Sequence, residues 1–227
     1  MGTTFFNIQV SATDPAPVSA VLREIGALPC YVAKEATNAW VAVFPGDGID
    51  PEELAQTLSL YLDTATLFFC EFDSDTCNYT LFDRSVIWDA FDSDPDFWAG
   101  ESGEDGEPIL PKTPEELAAL QGNLDTLLPF CIQGTTVAQI RAALDSTHAE
   151  ANARHFGRDA PQEGAYNARR DADAIVFALI KLLGLNESLA THSYYGFASR
   201  AEHNFDADLL YSVEHLPITQ RPPTKKL

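Results

Sequence analysis

Two Asp-Pro steps, each opening a helical apolar stripe and each flanked by β-prone residues, constrain this chain more than any other feature of it. At Asp14-Pro15 a capping aspartate precedes proline at the first helical position, where the missing N–H is no loss. Val18, Val21, Leu22 and Ile25 then recur at helical spacing until Gly26. Asp50-Pro51-Glu52-Glu53 repeats the arrangement, with acids at the positive end of a helix and Leu54, Leu58, Tyr61 and Leu62 along one side.

The intervening segments read as strands. Residues 4–10 alternate Phe6, Ile8 and Val10 against Asn7 and Gln9, the period-two pattern of a half-buried strand. Residues 30–33 and 39–44 predict a hairpin, ended by Pro45-Gly46-Asp47-Gly48. Residues 66–72, 78–82 and 86–91 predict three more strands, joined by the turns Asp73-Ser74-Asp75-Thr76 and Asp83-Arg84-Ser85. The resulting β-α-β-β-α-β-β-β order is that of an α+β protein with a mainly antiparallel sheet and two helices.

Near residue 94 the character changes. Residues 99–112 form an acidic, Gly- and Pro-rich linker or loop, and residues 113–216 read as a mainly helical half. Thr113-Pro114-Glu115-Glu116 caps one helix, and Thr135 or Thr136 caps another carrying Val137, Ile140 and Leu144. A longer helix is expected from Tyr166 to Leu183, stopped by Gly184, and residues 217–227 read as a flexible tail. The organisation expected is therefore residues 1–98, 99–112, 113–216 and 217–227.

The formal charge is −20, and it is uneven. Residues 1–112 hold four basic against twenty acidic residues, a net of −16, leaving −4 for the remainder. Such a field repels nucleic acid and anionic membranes, both of which are bound through Lys and Arg, and it accelerates association with a basic protein. The chain opens without a basic segment leading into an apolar run, so a cytoplasmic location is expected. Cys30, Cys70, Cys77 and Cys131 lack CxxC spacing and read as free thiols. A four-residue turn would set Phe72 opposite Cys77 and Cys70 opposite Tyr79, keeping the two sulfurs apart.

Chemistry-bearing patterns are sparse. Asp92-Ser93-Asp94-Pro95-Asp96 has the early spacing of a calcium loop. Phe97 stands where that loop needs glycine, though, and Gly103 where it needs a bidentate glutamate. His148, Asn152 and His155 share a helical face without an HExxH pattern, and His192, His203 and His215 have no assignable nucleophile. GxSxG, GxGxxG and GxxxxGK[ST] are all absent, so no cofactor and no catalytic residue are expected. The densest polar cluster is Asp73, Asp75, Asp89, Asp92, Asp94 and Asp96, interleaved with Trp88, Phe91, Phe97 and Trp98. Strand alternation assigns Trp88 and Phe91 to the core, leaving Phe97 and Trp98 as surface anchors among acids that steer a basic partner.

Several phrases occur together in order: Trp40-Val41-Ala42-Val43-Phe44, a helix with Leu58-Ser59, Tyr79 to Arg84 leading to Asp89, Phe91, Ser93 and Pro95-Asp96-Phe97, and Phe177-Ala178 followed by Lys181-Leu182-Leu183-Gly184-Leu185. In these the chain resembles a group of uncharacterised acidic bacterial proteins, a likeness that carries no catalytic residue. In class and charge it also resembles immunity proteins that neutralise toxins. The reading is a non-enzymatic acidic module that masks a basic partner. The alternatives are a divalent-cation enzyme or sensor built on the Asp73–Asp96 cluster, and a self-assembling subunit.

Overall fold

The computed structural model describes residues 4–35, 39–103, 106–147, 170–191, 193 and 211–217. The strands are β1 (Phe5–Ser11), β2 (Cys30–Glu35), β3 (Trp40–Pro45), β4 (Thr66–Phe72), β5 (Thr76–Asp83), β6 (Val86–Asp92) and β7 (Tyr211–Leu216). They form one seven-stranded sheet in the order β6-β5-β4-β1-β3-β2-β7. The described helices are α1 (Pro15–Ile25), α2 (Pro51–Leu62), α3 (Pro114–Ala119), α4 (Leu124–Leu127), α5 (Val137–Leu144), α6 (Ala172–Leu183) and α7 (Glu187–Ala190), with a 3-10 turn at Leu128–Phe130. The protein is α+β.

The expectation of a mostly helical C-terminal half needs correction. Two of the three longest described helices, α1 and α2, precede residue 63, and the C-terminal half contributes β7 to the sheet. Its pairing is long-range, running from Cys30 opposite Leu216 to Glu35 opposite Tyr211, so nothing near residue 211 announces it. The expected helix also starts later, at Ala172, and its segment from Tyr166 to residue 169 lies outside the described residues. So do residues 218–227 of the tail, and His148, Asn152, His155, His192 and His203.

The chain divides into two compact units. Residues 5–69, 80–88 and 184–227 form one, and residues 1–4, 70–79 and 89–183 form the other. In the first, both capped helices form where expected. Asp14 accepts from the Ala16 N–H, and Gly26 ends α1 in the left-handed conformation at φ 73°. Asp50 accepts from the N–H groups of Glu52 and Glu53.

β1 pairs with β3, and β3 with β2, both antiparallel. Helices α1 and α2 touch each other, α2 touches β1 and α1 touches β2. Ile8, Val10, Val18, Leu22, Val43, Leu54 and Leu58 are buried in this unit, each worth about 1.5–3 kcal/mol of apolar transfer. Tyr31, Ala33, Ala42, Phe44 and Leu189 form a further buried cluster.

β1 is not half-exposed as its alternation suggests. Asn7 and Gln9 are buried as well, because Asn7 donates to the Ala190 carbonyl at 2.7 Å and Gln9 donates to Asn7 at 2.8 Å. Paired carboxamides satisfy one another inside, where alternation alone places them in water.

In the second unit α5 contacts α6 and α4, and Leu127, Ile140, Leu144, Ile175, Val176 and Leu179 are buried. Thr113 and Thr136 each form a full capping box, with Glu116 and Gln139 respectively. Residues 100–103 and 106–109 pair with each other: Gly100 donates to the Ile109 carbonyl, Ile109 to Glu101 and Gly103 to Glu107.

Candidate functional site

The site grows from the turn between β4 and β5, which is shorter than expected. Residues 73–75 make it, and Thr76 already belongs to β5. Asp73 and Ser74 take positive φ of 51° and 62°, conformations that small polar residues tolerate, and Asp75 donates its N–H to the Phe72 carbonyl at 2.9 Å. The turn therefore presents Phe72 beside Asp73 and Asp75.

A second loop follows β6. Asp92 accepts from the Asp94 N–H at 3.0 Å and from the Thr76 hydroxyl at 3.3 Å, while Ser93 exchanges bonds with Cys77 through its N–H and its hydroxyl. Phe97 donates to the Asp94 carbonyl and Ala99 to the Asp96 carbonyl, which coils the loop so that Phe97 and Trp98 return towards Phe72. Centroids lie 4.9 Å apart for Phe72–Trp98, 4.7 Å for Phe97–Trp98 and 6.1 Å for Phe72–Phe97, all edge-to-face. Such pairs hold each other at about 0.5–1.5 kcal/mol beyond area burial. Phe72 and Trp98 remain 40% and 46% exposed.

The six aspartates divide into two groups. Asp89 is buried, accepting from the Tyr79 hydroxyl at 2.8 Å and from the Asn123 N–H, and its burial raises its pKa against those bonds. Asp92 is half-buried and its pKa is likewise raised by burial. Both fasten loops, Asp89 from a buried position and Asp92 from a half-buried one. Asp73, Asp75, Asp94 and Asp96 lie on the two loops that carry the aromatic trio, with Asp96 also accepting from the Lys112 N–H.

Trp88 needs correction too. It is 48% exposed, next to exposed Val86 and Ile87, because residues an odd number apart on a strand face opposite sides, so Trp88 does not share the face of buried Asp89 and Phe91. Phe91 is in the core as expected, stacked on Tyr79 at 5.7 Å, with the Arg170 guanidinium 5.1 Å from its centroid.

Phe72 and Glu71 are the residues that sequence reasoning missed. Glu71 is 1% exposed, one of its carboxyl oxygens has no hydrogen-bond partner, and its side chain shares a hydrogen bond with Asp173. Its only sequence signal is an acid inside an apolar strand, Leu67-Phe68-Phe69-Cys70-Glu71-Phe72.

Among the described residues no three His, Cys, Asp or Glu side chains are grouped so as to hold a metal ion. His215 stacks on Tyr31 at 4.5 Å. None of the four cysteines is in a disulfide, and burial pushes the Cys30 thiol up to about 12 and Cys131 to about 11. No described helix is long and apolar enough to cross a membrane. Comparison with protein-family models, with curated proteins and with solved structures finds no match.

Proposed function

We propose that this chain is a non-enzymatic, cytoplasmic protein-binding module, an immunity or inhibitor protein that masks a basic partner such as a toxin. The observation that carries the reading is the convergence of Phe72, Phe97 and Trp98 between two loops bearing Asp73, Asp75, Asp94 and Asp96. Exposed aromatics anchor an interface once water is excluded, and the surrounding carboxylates raise the encounter rate with a cationic surface. The net charge of −20 acts in the same direction.

The test begins with affinity capture of the partner and proceeds to kinetics on the purified pair. Association should slow about tenfold in the Asp94→Lys, Asp96→Lys variant and with rising salt, whereas Trp98→Ala should speed dissociation tenfold or more. Binding indifferent to salt and to Trp98→Ala would refute the proposal.

A second reading, self-assembly, is favoured by one separate observation: Val86, Ile87 and Trp88 are consecutive exposed apolar residues on the edge strand β6. Sedimentation of the chain alone, with Ile87→Lys as control, tests it.

A further inference from the structure

The strongest anomaly in the molecule is an acid buried against acids. Glu71, on β4 immediately before Phe72, is 1% exposed with one carboxyl oxygen unpartnered, and it shares a side-chain hydrogen bond with Asp173 in the first turn of α6. Two carboxyl groups can hydrogen-bond to each other only if one keeps a proton. Asp173 in turn accepts from the Ser74 hydroxyl at 3.1 Å, and Ser74 is the centre of the 73–75 turn. One chain of contacts thus runs from the buried carboxyl through α6 to the turn that carries Phe72, Asp73 and Asp75.

We propose that Glu71 and Asp173 form a proton-held latch beneath this turn, closed while the pair shares one proton and opened when the proton leaves. What the latch does to docking rests on the function proposed above; the latch itself does not. The groups that face Glu71 from α6 are Asp173 and Asp171, the latter capping the helix by accepting from the Ala174 N–H, and from β5 it is Cys77, a buried thiol. All are acids, and among the described residues no cation is set against Glu71 to steady a second negative charge.

Burial, then the hydrogen bond with Asp173, then the charges of Asp173 and Asp171 push the Glu71 carboxyl up to about 9. A carboxyl held more tightly in the folded chain than in the unfolded one contributes stability that is complete at low pH and is lost as pH rises through the folded value. The latch therefore opens on the alkaline side of neutrality. A basic surface docking on Asp73 and Asp75 would favour the ionised pair, and docking would then release a proton.

Amide hydrogen exchange tests the latch on the protein alone. The reporters are Asp73, whose N–H donates to the Thr4 hydroxyl, and Asp75, whose N–H donates to the Phe72 carbonyl. Corrected for base catalysis, their protection in the wild type should fall by about tenfold or more between roughly pH 7 and 10. In Glu71→Gln it should stay level, because the carboxamide donates to Asp173 at every pH. Asp173→Asn offers Glu71 a permanent donor and should move the midpoint to lower pH, which keeps the test open if Glu71→Gln does not fold. A wild type without a transition, or the same transition in Glu71→Gln, would overturn the latch. So would protection or melting that rises with Mg2+ or Ca2+ and loses this in Glu71→Gln, since a metal ion would then stand where the proton is assigned.

Discussion

Replacing Gly122 with alanine should be among the most damaging single-methyl changes in the protein, and the structure says by how much. Gly122 has φ 75°, and a Cβ built there would lie 2.9 Å from Leu144 Cδ1 and 2.9 Å from the Tyr79 hydroxyl oxygen, with Phe91 Cβ at 3.6 Å. The left-handed backbone costs alanine about 1–2 kcal/mol. Forcing a methyl into a filled core costs roughly 1–3 kcal/mol more. Neither neighbour moves cheaply: Leu144 is fully buried, and Tyr79 is held by Asp89, which also accepts from the Asn123 N–H.

Gly26 supplies the control, having φ 73° and nothing within 4 Å of its built Cβ, so Gly26→Ala carries the backbone cost alone. Urea unfolding should therefore give about 2–5 kcal/mol for Gly122→Ala and about 1–2 kcal/mol for Gly26→Ala, the difference being the packing cost. Adding Tyr79→Phe opens space for the new methyl, so the double variant should lose less than the sum of the two singles. A Gly122→Ala midpoint within about 0.5 kcal/mol of wild type, or no lower than that of Gly26→Ala, refutes the reasoning.

Three further outcomes follow from the same contacts. Burial, with the Asp89 carboxylate beside it, holds the Tyr79 hydroxyl proton far more tightly than in an unfolded chain, so stability should fall as pH rises above about 10 and Tyr79→Phe should flatten that limb. A thiol reagent should modify the half-buried Cys70 and Cys131 before the buried Cys30 and Cys77, all four reacting in denaturant; rapid modification of Cys77 in the native state would contradict its placement. Arg170→Lys should destabilise by about 1 kcal/mol in thermal melts, because lysine cannot both cover the Phe91 ring and reach the Asp92 carbonyl and Gln121, as the guanidinium does at 3.4 Å to each.

What was legible in the sequence was what local chemistry decides. Asp14, Asp50, Thr113 and Thr136 cap helices where their spacing predicts, since a cap is made within three residues of itself. Phe97 and Trp98 stood out because aromatics in an acidic loop have no local reason to be there. Phe72, their third member, lies 25 positions earlier and ends a strand whose pattern gives no sign of it. Trp88 and Asn7 erred for different reasons. Trp88 lies an odd number of positions from Phe91 and so faces the other side of β6, whereas alternation placed Asn7 correctly on a face without telling that it is covered, with Ala190 of α7 accepting its hydrogen bond inside.

The acidic cluster shows most clearly how charge along a chain differs from charge on a surface. Counted in sequence, six aspartates between residues 73 and 96 look like one field. Folded, Asp89 is enclosed by Tyr79 and Asn123, half-buried Asp92 is tied to Thr76 and the Asp94 N–H, and four remain on the two loops around the aromatic trio. Glu71, which no charge pattern singles out, becomes the most strongly raised described carboxyl of the region because burial and the negative charges of its neighbours push it the same way. A carboxylate steers only where water lets its field out, and the same group taken inside becomes a fastening or a held proton. The docking face we propose is therefore built from the acids that the core has not used.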